Sequence, residues 1–157
     1  MDAYLLARGL HIFSAFLLFG TGLGTAFHMY MACRSGAVAG IARVSRQVVL
    51  ADWLFTAPAG VLQPLTGLWL IHLAGYGFAE PWLLLSLLLY GLAGVAWLVV
   101  VKLQLDMLRL SAAALRGDTG LPEAFGRAFR LWVRLGWVGF GGLIGVYVLM
   151  VAKPTLW

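Results

Sequence analysis

The three histidines, His11, His28 and His72, are the residues on which specific chemistry would rest. His11 stands within the first long apolar run, and His72 near the end of the second. An ionisable group inside such a run is costly to bury in lipid and marks a functional position. Neutral imidazole is a common metal ligand, including the axial ligand of haem iron. At helical spacing, Ser14, Ala15, Leu18, Gly22 and Thr25 lie near the His11 face. That stripe is small and mildly polar, and suits either a second helix or a flat ligand. Two readings of His11 follow: it ligates a metal, or it hydrogen-bonds a neighbouring helix.

Antiparallel helices would bring His72 toward the membrane level of His11, with an axial offset of roughly 6–10 Å from the rise per residue. A bis-histidine site and an interfacial histidine among headgroups are both open. His28 lies about 25 Å from His11 along one helix, so the two cannot share a metal. The string His28-Met29-Tyr30-Met31-Ala32-Cys33 holds nitrogen and sulfur groups of the kind that attract copper. Consecutive helical positions point in different directions, however, so these groups do not form one site unaided. Lys102 and Asp106 stand four residues apart with Arg109 beyond, an arrangement that reads as local ion pairing or as contact with an anion or a haem propionate. Asp52 reads as the opening residue of the second helix, where the positive end of the helix dipole favours it. One cysteine excludes an intramolecular disulfide. There is no CxxC, phosphate loop, HExxH or paired catalytic carboxylate, so hydrolytic chemistry has no basis.

The elements that must position these residues follow from composition. Hydrophobic residues make up 62% of the 157 positions and charged ones only 11%. A soluble domain needs more charge to cover its surface, so the excess apolar area must face lipid. Gly9–Cys33, Trp53–Ala79, Trp82–Val101 and Leu135–Ala152 carry almost no charge, and a spanning helix needs about 20 apolar residues. We therefore expect an all-α, integral membrane four-helix transmembrane bundle, a single domain over 1–157 with helices at about 4–33, 51–75, 81–110 and 129–152. The first run is too long for a signal peptide and lacks a basic leader, so it reads as a retained helix. Arg34, Arg43 and Arg46 fall at the first connection, and Arg109, Arg116 and Arg127 at the third, whereas the second carries only Glu80. The positive-inside rule then puts the first and third connections in the cytoplasm and both termini on the outer, periplasmic side of a bacterial inner membrane. The net charge of +5 is spread over these connections and implies no nucleic-acid partner.

Gly20 and Gly24, and again Gly141 and Gly145, form GxxxG ridges that permit close helix contact. They also suit docking to a second copy or to a larger membrane complex. Pro58 and Pro64 interrupt the second helix and free the carbonyls of Leu54 and Gly60, with a bend that would open a cavity near Gln63.

The strings Leu10-His11-Ile12-Phe13-Ser14-Ala15, Phe19-Gly20-Thr21-Gly22-Leu23-Gly24, Ala51-Asp52-Trp53-Leu54-Phe55-Thr56 and Gln63-Pro64-Leu65-Thr66-Gly67 resemble a bacterial family of small four-helix membrane proteins of unassigned function. A more distant resemblance is to the J-type protoporphyrinogen oxidases and the CopD-like copper-resistance membrane proteins. It is carried by His11, by Trp97-Leu98 followed by Lys102, and by Lys153-Pro154. The tryptophan-to-lysine spacing is longer here, and Phe27-His28-Met29-Tyr30 replaces the arginine and tyrosine-histidine that end the first helix of those enzymes. The resemblance implies haem b on His11; together with the spacing that makes His72 a possible second ligand and Lys102 an anion contact, it leads us to expect a membrane electron-transfer protein or oxidoreductase. A copper-handling protein and a noncatalytic subunit of a membrane complex are the alternatives.

Overall fold

The computed structural model describes residues 2–155. Helix α1 runs Ala3–Ser35, about 50 Å at 1.5 Å per residue, longer than the roughly 30 Å hydrocarbon layer. Asp2 caps it, its carboxylate accepting from Tyr4 N–H at 3.0 Å. α2 spans Val38–Ala51, a π-helical turn spans Asp52–Thr56, and α3 spans Ala57–Ala74. These three form one continuous second span over Val38–Ala74. α4 runs Pro81–Arg116 and α5 Glu123–Ala152. All four spans are long and apolar enough to cross a membrane, and no strand occurs among the described residues.

The second span begins at Val38 rather than near residue 51, the third continues to Arg116 rather than about 110, and the fourth starts at Glu123 rather than 129. The added segments hold arginines, which lower hydropathy without breaking a helix. α2 is amphipathic: Ile41, Val44, Ser45 and Val48 are buried, while Arg43, Arg46 and Gln47 are exposed. The first connection shrinks to Gly36 and Ala37. α3 ends on Gly75 at φ 71°, with Gly75 N–H on His72 O and Tyr76 N–H on Ile71 O, the paired bonds of a left-handed glycine cap.

The π turn has a local cause. Pro58 brings no N–H to the Leu54 carbonyl, and its ring crowds that carbonyl. The turn just before it is widened, and Ala57 N–H reaches back to Asp52 O. Pro64 acts on Gly60 in the same way. There the freed carbonyl accepts from the Tyr90 hydroxyl of α4 at 2.7 Å.

Neighbour relations close a ring: α1 packs on α2 and α3, α2 on α4, α4 on α5, and α5 returns to α1 through Phe19–Phe140 and Tyr30–Phe129. On α5 the glycines facing α4 are Gly139, Gly142 and Gly145, which lie over Leu89 and Ala93, while Gly141 faces open space. On α1 Gly22 meets the Phe140 ring, and Gly20 and Gly24 meet nothing within 4 Å. The close-packing ridge of α5 thus runs at a spacing of three and shares only Gly145 with the GxxxG pair, and the Gly20/Gly24 ridge of α1 points out of the bundle. Met29, Ile41, Val48, Met107, Phe125 and Trp132 build an apolar core at one end, and Ile71, Trp82 and Leu83 another at the opposite end. Trp137, Phe16 and Leu88, each above 70% exposed, present their side chains to lipid.

Candidate functional site

His11 lies between α1 and α3, half-buried, near the end of the bundle closed by Ile71 and Trp82. α3 admits its ring because position 67 is glycine. A Cβ there would stand 3.2 Å from His11 Cε1 and 3.7 Å from Nδ1. His11 Nδ1 lies 3.1 Å from the Gln63 carbonyl and 3.0 Å from Thr66 Oγ1. A carbonyl only accepts, so Nδ1 carries the proton. The Thr66 hydroxyl donates to Leu62 O at 2.7 Å, which leaves its lone pairs facing His11 Nδ1–H. Nε2 then holds a lone pair, and the Gln63 side-chain amide donates to it at 3.2 Å. Gln63 Oε1 in turn accepts from the Ser14 hydroxyl, which also lies 3.0 Å from the His11 carbonyl. Ser14 is fully buried and Thr66 nearly so.

This is a closed polar network inside an apolar bundle. It fixes the imidazole in plane and tautomer. The arrangement matches the outer shell of a ligating histidine, whose non-ligating N–H is tied to a backbone carbonyl or carboxylate. The nitrogen a metal would use, Nε2, is the one capped by a side chain rather than by backbone. Both ring nitrogens are thus partnered by α3, and a group could attach at Nε2 only if the Gln63 amide turned aside.

The other residues singled out in the sequence are elsewhere. His72 is exposed on α3. It follows Gly67 by five residues, which turns it about 140° away from the face that meets His11. The structure does not pair the two histidines. Lys102 projects from α4 with a side chain 75% exposed, bonded to Asp106 at 2.9 Å. Its neighbour Leu103 packs with Met29, which lies about 27 Å along α1 from His11. Lys102 therefore stands toward the opposite end of the bundle. His28 is exposed, Met29 is buried with its sulfur receiving Ser45 Oγ at 3.8 Å, and Cys33 is half-buried. These groups do not converge. Among the described residues, no group of three or more His, Cys, Asp or Glu side chains gathers in one place.

Three participants escape a linear reading. Thr66 and Tyr90 are common helix residues whose partners come from other spans. Asp52 is not a helix opener: the helix starts at Val38, so Asp52 sits deep in it, 6% exposed, where no dipole end reaches it. The inward face of the second span carries Asp52, Thr56, the Gly60 carbonyl, Gln63 and Thr66 at helical spacing, a polar line facing α1 and α4.

Four long apolar helices around buried polar networks define a multispan integral membrane protein. The chain belongs to the family described as predicted integral membrane protein (DUF2269), whose model matches residues 5–154. No curated protein and no solved structure matches it.

Proposed function

We propose that the protein binds haem b through His11 and serves in membrane electron transfer or in oxidation of a membrane-soluble reductant, as an oxidoreductase or its redox subunit. The observation that carries this reading is the His11 network. Nδ1–H is anchored on the Gln63 carbonyl and Thr66, and Nε2 presents its lone pair to the Gln63 amide, which would have to turn aside for a ligand. The likeness of His11, Trp97-Leu98, Lys102 and Lys153-Pro154 to the J-type protoporphyrinogen oxidases supports it.

His11 holds and orients the ligand nitrogen. Gln63 and Thr66 hold its tautomer, and Gly67 gives the ring room. When bound, haem supplies one-electron chemistry, and the bundle supplies burial and orientation. His72 is not part of the attachment. Lys102, which is exposed and remote from His11, in this reading meets an anionic partner instead of a propionate. In this reading the protein resides in a bacterial cytoplasmic membrane, with its arginine-bearing connections inside and both termini outside.

Visible spectra of purified protein, oxidised and dithionite-reduced, test the proposal beside His11→Ala. A Soret band with reduced α and β bands, lost in the variant, is expected. A colourless protein after expression with supplemented haem overturns it.

A second reading is favoured by one observation. Gly20 and Gly24 are exposed on α1 with nothing within 4 Å of a Cβ added there, open space that another helix could approach. It makes the chain a subunit of a homo-oligomer or larger membrane complex. A particle that is strictly monomeric by mass when extracted directly into native nanodiscs overturns that reading.

A further inference from the structure

A second polar cluster lies on the same span as Gln63, but about 16 Å along the helix from it. Asp52 opens the π turn, and its Oδ1 accepts from the Thr56 hydroxyl at 2.9 Å. Its Oδ2 has no hydrogen-bond partner among the described residues, and neither do Gln104 Oε1 or Trp97 Nε1 of α4, although the Gln104 side chain also lies against the Asp52 carboxyl group. Asp52 and Gln104 are 6% and 5% exposed. Unpaired polar atoms this deep are rare, because each has given up its hydration.

The three side chains are not scattered. All of them line one small cavity of about 10 Å³ between the second span and α4, with Val49, Ala57 and Val101 on its apolar wall. That volume is at the threshold for one water molecule. The unmet valences are two acceptors, the carboxyl and amide oxygens, and one donor, the indole N–H. A molecule that answers all three must offer two donors and one acceptor from a single atom. Water does so. A cation would serve the two oxygens but oppose the indole N–H. Asp52 is the one ionisable side chain lining the cavity. π-helical turns recur at functional sites, and this one widens the helix where the aspartate turns inward.

We propose that Asp52, Gln104 and Trp97 form a built site for a single water within the membrane span. The water donates to Asp52 Oδ2 and Gln104 Oε1 and accepts from Trp97 Nε1–H. The site is separate from His11 and does not depend on a cofactor there. It gives the aspartate a polar, exchangeable neighbour in an otherwise apolar layer. Trp132 serves as the internal comparison, since its Nε1 is also buried and unpaired but lies in the apolar cluster with Met29 and Phe125, outside this cavity.

The test is nuclear magnetic resonance of the full-length protein, labelled with 15N-tryptophan, in lipid nanodiscs. Trp97→Phe assigns the indole signal. The expected result is cross-relaxation between Trp97 Nε1–H and the water resonance, with the sign of a long-resident water. It is lost in Asp52→Leu, whose side chain fills the cavity. Gln104→Met keeps the side-chain length, removes one acceptor and weakens the same cross-peak, so the test survives if Asp52→Leu does not fold. Absence of the cross-peak in the unmodified protein overturns the proposal. So does a cross-peak unchanged in every folded variant, or a Trp97 shift that follows replacement of sodium by choline, which would mark a cation instead.

Discussion

Tyr90→Phe isolates one bond whose need arises from proline. Pro64 removes the N–H that would otherwise bond the Gly60 carbonyl, and the Tyr90 hydroxyl supplies the substitute at 2.7 Å. Phenylalanine keeps the ring and deletes only the donor. A buried acceptor left unpaired costs about 1–3 kcal/mol in proteins. Hydrogen bonds within membrane bundles average about 0.6 kcal/mol and reach about 1.7. Pro64 removes the helical donor to the Gly60 carbonyl, so we place the loss toward the upper part of that second range, about 1–1.5 kcal/mol. Pro64→Ala restores the helical N–H. In that background Tyr90→Phe should cost only a few tenths, giving a coupling of about 1 kcal/mol between residues that touch through a shared carbonyl. The assay is reversible unfolding in mixed micelles titrated with denaturing detergent, applied to the four proteins of the cycle. Equal losses in both proline backgrounds, with a coupling within about 0.3 kcal/mol of zero, would refute the argument that Tyr90 replaces the bond proline removes.

Gly67→Val places a branched side chain where even a Cβ stands 3.2 Å from His11 Cε1. We expect the low-field 15N-resolved signal of His11 Nδ1–H to vanish while helix content by circular dichroism is unchanged; retention of that signal would count against the close packing. Lys102→Ala deletes a pair whose lysine side chain is 75% exposed, so unfolding should shift by no more than about 0.5 kcal/mol. A larger loss would mean that Lys102 has a structural partner beyond Asp106.

Much of this architecture is legible in the sequence because lipid selects on length and charge. Four nearly uncharged runs give four spans. Pro64 identifies Gly60 as a carbonyl in need of a donor, and the sequence names His11 as a polar group requiring explanation, with Gln63 noted only beside the proline bend. The donor itself, Tyr90, is not legible, because it comes from a span whose order around the bundle no local pattern records. Lipid-facing and core-facing positions are equally apolar here, so the periodicity that reveals a buried face in a soluble helix is weak. The same weakness hides that the glycine ridge of α5 runs through Gly139 and Gly142 to Gly145 and leaves Gly141 outside. Helix ends were hidden for the opposite reason. Arg43, Arg46, Arg116 and Arg127 look like connections by hydropathy, yet they stand on the outer faces of helices whose inner faces are packed. Asp52 misleads most, since an acidic residue before an apolar run has the look of a helix start. Only the amphipathic pattern of Ile41, Val44, Ser45 and Val48 upstream shows that the helix is already under way.

The central claim is that His11 alone, fixed by Gln63 and Thr66, supplies the ligand nitrogen. Its most direct test is the haem content per polypeptide of His11→Ala beside His72→Ala, purified from membranes of haem-supplemented cells. The account predicts that the first variant is depleted and the second retains the content of the unmodified protein. Equal depletion in both, or full retention in His11→Ala, would contradict it.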